Sequence, residues 1–276
     1  MPGKLFVTGT PIGNLGDFSP RAIDAMRECD FIAAEDTRVT LKLLNHFDIK
    51  KPLTSYFEHN KQQKGGEILQ RIMNGENCVL VTDAGMPAIS DPGMELVDAC
   101  HEHGITVCSV PGPTAFATAL AISGMDSGRF TFEGFLSVNK QSRREHLADI
   151  ACERRTMIFY EAPHKLSATL RDLLQTLGDR RIAIVREITK IHEEVIRTTL
   201  AQAAEDYPSN NLKGEIVLII EGAKEERKEE ITLEDAKKLA LEFVDAGMSK
   251  NDASKMAAKQ TGLKKSDIYK LLQELI

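Results

Sequence analysis

The sequence predicts two α/β domains followed by a small helical appendage, and three observations lead there. Short β-rich runs alternate with helical patterns from Lys4 to Gly124, a second set of apolar runs follows a small glycine-bearing segment, and three helical patterns close the chain after a charged stretch. The length of 276 residues suits about two domains with room for a short extension.

In the first domain, 1–123, LFVTG forms a strand, and Ser19 and Pro20 open a helix as N-cap and first helical residue. DFIAA is a strand, one helix follows Thr37, and another covers Gln62 to Met73. NCVLVTD is continuously apolar, the mark of a strand covered on both faces. Asp91 and Pro92 carry N-cap and N1 chemistry for the next helix, ITVCSVPG is another strand, and Pro113 to Ile122 forms the last helix. Strands separated by helices imply right-handed crossovers, a mainly parallel sheet, and ligands at the strands' carboxyl ends.

The polar, glycine-bearing segment Ser123 to Gly128 marks a hinge. In the second domain, 124–223, FTFEGFL, RTMIFYEA, RIAIVRE and GEIVLIIEG read as strands, with helices over Arg143 to Cys152 and His164 to Leu177. This is a second α/β or α+β domain. The appendage, 224–276, starts with KEERKEE, a linker or solvated helix start, and continues as helices at Thr232 to Ala246, Lys250 to Thr261 and Ser266 to Leu275. From Ala246 onward Lys250, Lys255, Lys259, Lys264, Lys265 and Lys270 outnumber Asp252, Asp267 and Glu274. NDASKMAAKQTGLKKSDIYKLL has the helix, glycine turn and helix of a helix-turn-helix unit; a packing appendage with a solvated lysine face is the alternative.

Hydrophobic residues at 42% and charged residues at 28% exclude a disordered or fibrous chain. The net charge of -6 excludes nucleic-acid binding by an overall positive field, so any such contact rests on a local patch. Cys29, Cys78, Cys100, Cys108 and Cys152 include no C-x-x-C pair and fall mostly in apolar runs, which suggests reduced, buried thiols in a cytoplasmic protein. The N-terminus lacks a signal-peptide pattern, and the apolar stretches Ala115 to Ile122 and Ile216 to Ile220 fall far short of the ~20 residues of a membrane span. No metal is expected, since His101 and His103 project to different sides of a helix and no nearby set completes a site. G-x-S-x-G, the mark of a serine hydrolase, is missing.

Three loops carry the chemistry. TGTPIGNLGD runs from a strand into Gly9, Pro11, Gly13 and Gly16, where backbone can approach a ligand closely. TDAGMPAISDPG places Asp83 at a strand end beside Gly85 and Pro87. VPGPTA presents the amides of Thr114 and Ala115 at a helix start. Three such loops on one sheet edge predict a pocket.

The ordered set GTPIGN, AEDTR, TDAGMPAISDPG, VPGPTAFATALAISG, FYEAPHKL, REITKIHEE and KGEIVLIIEG resembles the tetrapyrrole methylase superfamily. Within it the chain is most similar to the branch that methylates the 2′-oxygen of a cytidine ribose in 16S ribosomal RNA. The resemblance runs in order from Leu5 to Gly222 and extends to the helical tail. It implies a tetrapyrrole-methylase-like fold, S-adenosylmethionine folded into the interdomain cleft, small-subunit ribosomal RNA as substrate, and a homodimer. Carried over, Gly85, Met86 and Ile89 line the cofactor, with Asp83 at the head of that loop. Thr114 and Ala115 meet the cofactor from the next loop, Pro11 borders it, and Ala162 closes the other side. The chain departs from the family at Met86 and Ala88, where Thr and Gly are expected, and at Thr198, where Gly is expected.

Transfer to a ribose hydroxyl needs alignment and the handling of one proton, so a base or a cation near the developing alkoxide is expected. Lys190 with Glu187 or Glu194 is the favoured set, and Glu161 a further candidate. Contact with RNA falls to Arg38, Lys42, Lys61 and Lys64, interleaved with Tyr56, Phe57 and His59, and to Arg143 and Arg144. Solvated loop faces are the plain alternative for both clusters. Two other functions compete: methylation of a small tetrapyrrole, and a non-enzymatic nucleic-acid-binding regulator working through the tail.

Overall fold

In the computed structural model, which describes residues 1–209, 212–224 and 232–273, the chain divides into a unit at Met1–Ala223 and another at Lys224–Ile276. The first unit holds two five-stranded sheets. Strands β1 (Lys4–Thr8), β2 (Phe31–Ala34), β3 (Leu53–Ser55), β4 (Cys78–Val81) and β5 (Thr106–Val110) form a fully parallel sheet in the order β3-β2-β4-β1-β5. Successive strand residues face opposite sides, and both sides are buried. Ile32, Ala34, Val79 and Val81 pack with Ala22 and Met26 of α1 (Pro20–Glu28) and Leu44 of α2 (Thr37–His46). Phe31, Ala33, Cys78 and Leu80 pack with Ile68 and Ile72 of α3 (Lys61–Met73) and Leu96 and Cys100 of α4 (Met94–Glu102).

Local chemistry sets the helix starts. The Ser19 hydroxyl accepts from Ala22 N at 3.1 Å with Pro20 following, and the Asp36 carboxylate accepts from Arg38 N at 2.8 Å. The expectation for Asp91 is corrected. Gly93, at φ 153°, is the N-cap of α4, and Asp91 turns toward a cleft instead. Cys29, Cys78 and Cys100 are buried as expected, but Cys108 is half-buried on an edge strand and Cys152 is exposed in the turn after a helix.

The second sheet is mixed, in the order β6-β7-β10-β8-β9. Its strands are β6 (Phe130–Phe135), β7 (Thr156–Glu161), β8 (Arg181–Arg186), β9 (Glu194–Thr199) and β10 (Ile216–Ile220). β6 and β7 run parallel and the remaining pairs antiparallel. One face is covered by α6 (Lys140–Asp149), α7 (Leu166–Leu177) and α8 (Leu200–Asp206), through Leu147, Leu166, Leu170, Leu173, Leu200 and Ala203. The other face receives α5 (Ala115–Ser123), whose Ala119 and Leu120 lie against Ile158, Ala183, Val185, Val217 and Ile219. The segment 124–129 thus separates the sheets in sequence, while α5, from before it, packs on the sheet that follows. β3, β9 and α8 have no counterpart in the sequence reading, and Thr198 lies inside β9 and not in a turn.

The second unit is three helices: α9 (Leu233–Asp245), α10 (Lys250–Thr261) and α11 (Lys265–Gln273). Thr232 and Asp235 form a reciprocal capping box, the Ser249 hydroxyl accepts from Asp252 N, and Gly262 takes the left-handed conformation that ends α10. Ala236, Ala240, Ala257, Ile268 and Leu272 form the core, with alanines allowing close helix approach. Leu275 and the run after Lys224 in KEERKEE lie outside the described residues. Among the described residues no helix is long and apolar enough to cross a membrane.

Candidate active site

The carboxyl ends of β1, β4 and β5 are drawn together by backbone. Gly9 N donates to Val110 O at 3.0 Å, and a Cβ on Gly9 would stand 2.6 Å from Gly112 Cα, so a side chain at Gly9 would force these loops apart. Thr10 and Gly85 exchange two backbone hydrogen bonds, Thr10 N to Gly85 O at 2.9 Å and Gly85 N to Thr10 O at 3.1 Å. The loop beyond Gly85 is strained: Ala88 and Ser90 stand at φ 65° and 64°, a conformation costing of order 1–3 kcal/mol per non-glycine residue. The departure at Ala88 therefore occupies a position whose backbone geometry favours glycine.

These loops face the second sheet across a cleft of about 430 Å³. Ile12, Met86, Ile89, Thr114 and Ala115 line one side, and Phe135, Tyr160, Ala162, Ile188 and Val217 the other. One end is acidic. The Glu35 carboxylate accepts from the Thr82 hydroxyl at 2.5 Å, and Asp83 Oδ1 accepts from Asp36 N at 3.0 Å. Burial, reinforced by the Glu35 charge and opposed by a hydrogen bond from Thr82, pushes the Asp91 carboxyl up to about 6. Burial also raises Asp83, opposed by the hydrogen bond from Asp36 N and reinforced by the Glu35 charge. Tyr160 reaches across from β7, its hydroxyl accepting from Phe116 N at 3.1 Å.

Asp83, Gly85, Met86, Ile89, Thr114, Ala115 and Ala162 all line this cleft. Pro11 does not; it lines a second cavity beside α2. Glu161 is buried, its Oε1 accepting from Ala162 N at 2.8 Å and its Oε2 from the Thr169 hydroxyl, so it holds the cleft wall. Lys190 Nζ lies 2.9 Å from Glu187 Oε1 and 3.2 Å from Glu215 Oε2. Glu194 is not part of that group, because it begins β9 and sits 2.8 Å from Arg186 Nε. Burial works against the Lys190 charge, but the bonds it donates to Glu187 and Glu215 outweigh it and hold the ammonium above its ordinary pKa.

The expected RNA contacts divide. Arg38 is forked onto Asp36, Lys61 lies between Glu58 at 2.8 Å and Glu95, and Lys64 pairs with Glu67. Arg143 is turned inward, bonding Asp172 at 2.7 Å and the Thr169 hydroxyl at 2.9 Å, so it buttresses α7 and offers little to a phosphate. Lys42 and Arg144 are exposed. Glu215, Tyr160 and Ile188 were not singled out from sequence, and Asp91 only as a helix cap; Asp91 and Glu215 stand out as cleft residues only once the chain brings distant loops together.

The family model for tetrapyrrole (corrin/porphyrin) methylases matches residues 4–204. The chain belongs to the tetrapyrrole methylase family. A ribosomal RNA small subunit methyltransferase I of Synechocystis sp. is 45% identical over 274 residues, covering 99% of this chain and 98% of that one. The protein of that name from Escherichia coli O157:H7 is 43% identical over 277 residues, covering 99% and 95%. The one from Thermotoga maritima is 46% identical over 220 residues, covering 80% of this chain and 99% of its own. Among solved structures, a uroporphyrin-III C-methyltransferase from Thermus thermophilus complexed with S-adenosyl homocysteine has a TM-score of 0.56 at 18% identity, covering 79% of this chain and 97% of that one. A cobalt precorrin-4 methyltransferase gives 0.59 at 18% identity, covering 79% and 94%. At that identity these two likenesses speak to the fold. Two facing sheets with a cleft between their loops are thus the tetrapyrrole methylase arrangement in this chain.

Proposed function

We propose that this tetrapyrrole methylase family member is an S-adenosylmethionine-dependent methyltransferase of small-subunit ribosomal RNA, acting on the 2′-hydroxyl of a cytidine ribose. The observation that carries this is the end-to-end similarity to proteins named for methylating that RNA. The cleft fits the cofactor chemically. Its volume lies in the range of small-molecule sites, its walls at Ile12, Ala115, Ile188 and Val217 suit an adenosine, and its acidic end at Asp83 and Asp91 suits a ligand carrying positive charge. The backbone of Gly85, Met86 and Pro87 lies in easy reach of a ligand because Gly85 adopts φ 90°.

Bound S-adenosylmethionine supplies a methyl on a positively charged sulfur, open to in-line displacement by an oxygen. The protein's part is alignment, exclusion of water by the apolar walls, and charge. Lys190, held charged by Glu187 and Glu215, acts as a cation toward the ribose oxygen as negative charge develops there, and not as a base. Asp83 and Asp91, both lining the cleft and both raised by burial, are the carboxylates that would receive the hydroxyl proton as the methyl is transferred. Glu161 acts at one remove by fixing Ala162.

Homodimerisation, as implied by the sequence resemblance, is part of this reading. Val138 and Ile191 are large apolar residues exposed at 79% and 96%, surface that a second copy would cover. A cytoplasmic location goes with a ribosomal substrate. Labelled methyl transfer to small subunits lacking native methylation, followed by nucleoside mass spectrometry, tests the function. The expected product is 2′-O-methylcytidine; cofactor binding without transfer to subunits or free RNA would overturn it.

A further inference from the structure

Beside the cofactor cleft lies a second cavity of about 370 Å³, formed by the loop after β1, by α2, and by the end of β4. Thr82 and Asp83 line both cavities, so the two adjoin at the acidic end of the cleft. Pro11, Leu15, Val39 and Leu43 give the second cavity apolar walls, with Leu15 and Val39 partly exposed. Lys42 stands at it, exposed and, among the described residues, without an ion-pair partner, whereas Arg38, Lys61 and Lys64 in the same segment are tied to carboxylates. Gly13 also lines it, and Lys190 lies across Gly13. Lys190 thus packs against a wall residue of the second cavity, Gly13, and pairs with a wall residue of the cleft, Glu215.

We propose that this cavity receives one unstacked nucleoside of the RNA substrate, its base against Pro11, Leu15, Val39 and Leu43 and its phosphate at Lys42. The proposal rests on the ribosomal RNA methyltransferase reading. A methyl donor held inside a cleft meets a ribose hydroxyl when the target nucleotide is splayed out of its stack, as proteins do with single-stranded RNA. A site for that nucleotide needs three things: contact with the cofactor cleft, apolar surface for a base, and a free cation for phosphate. The second cavity provides all three, and its junction places the ribose beside Asp83 with Lys190 close by.

The test uses the full chain and two variants, Val39→Phe and Lys42→Ala, both altered at exposed positions of α2 where folding is not at stake. Binding of cytidine 3′,5′-bisphosphate in the presence of S-adenosylhomocysteine, cofactor affinity, and methyl transfer to unmethylated small subunits are each measured. The parent is expected to bind the bisphosphate, Lys42→Ala to weaken it roughly tenfold, as loss of a charged hydrogen bond does, and Val39→Phe to abolish it. Transfer by Val39→Phe is expected to fall roughly a hundredfold in kcat/KM through displacement of the ribose, with cofactor affinity unchanged. Parental transfer by both variants would overturn the proposal. If the parent methylates no RNA, the function reading fails and bisphosphate binding judges the cavity separately: binding lost in Val39→Phe upholds a nucleotide site, and no binding by the parent overturns it.

Discussion

Lys190 lies across Gly13, so close that a Cβ on Gly13 would stand 2.6 Å from Lys190 Cγ and 2.9 Å from its Cε. Gly13 also holds φ 141°, which L side chains rarely adopt. The loop after β1 and the loop after β8 are thereby fitted to one another, and the fit sets where the Lys190 ammonium stands. Gly13→Ala is expected to keep cofactor affinity and lose roughly a hundredfold in transfer, the usual cost of a displaced catalytic group. Parallel calorimetry and single-turnover kinetics would check this; a fully active variant would show that the close approach is dispensable.

Lys190→Ala removes the cation itself. Its kcat should fall by roughly two to three orders of magnitude, as when an oxyanion donor is lost, with KM for subunits little changed. Because Lys190 is held charged, the parent's rate should show no loss of activity on the acid side attributable to this group. Glu215→Gln removes one of its two partners and should give a smaller loss.

Asp91 links stability to function through pH. Its folded pKa, about 6, lies above the unfolded value of 3.8, so the charged form is penalised in the fold. The penalty is full above pH 6, fades as pH falls toward 4, and is gone below the unfolded pKa. Asp91→Asn should therefore stabilise the fold at pH 7.5 by about 1 kcal/mol, after allowing for solvent screening of a half-buried group, raising the melting temperature there and giving no gain at pH 4. Cofactor affinity should fall in the same variant. A melting temperature that drops at both pH values would contradict this account.

Glu161→Gln keeps the side-chain shape but removes the charge that two donors share. The Thr169 hydroxyl and Ala162 N would lose their anionic acceptor, at a cost of about 1–3 kcal/mol. A positioning role predicts weaker cofactor binding with an unchanged pH profile for transfer; a shifted profile would make Glu161 a proton carrier.

Ending the chain after Ala223 removes the three-helix unit and its lysines. Cofactor affinity should survive, while KM for subunits rises roughly tenfold and the salt dependence of binding shallows, as fewer phosphates are neutralised. Loss of cofactor binding would instead assign the tail a part in folding the first unit.

How much of this was legible follows from how local each signal is. Strands β2, β4 and β10 are apolar runs buried throughout, and such runs read directly. β3 has three half-buried residues, and β9, an edge strand written EVIRTT, has no continuous apolar run to mark it. The site loops were legible because a backbone at positive φ or in close approach selects glycine, as at Gly9, Gly13 and Gly85. Asp91 was misjudged because a carboxylate before proline carries the same local signal as an N-cap. Which cations are neutralised was legible only where the partner is local, as for Lys64 with Glu67; Lys61 meets Glu95, and Arg143 meets Asp172, only through tertiary structure.

The docking of α5 onto the far sheet bears on how the enzyme admits its ligands. Because α5 packs on the second sheet, it stays with that sheet if the two part, and only Ile12, from the loop after β1, would leave its apolar cluster. The one chain connection on which the two sheets can pivot therefore lies ahead of α5, at 111–114, in the loop that brings Thr114 to the cleft, and not at 124–129.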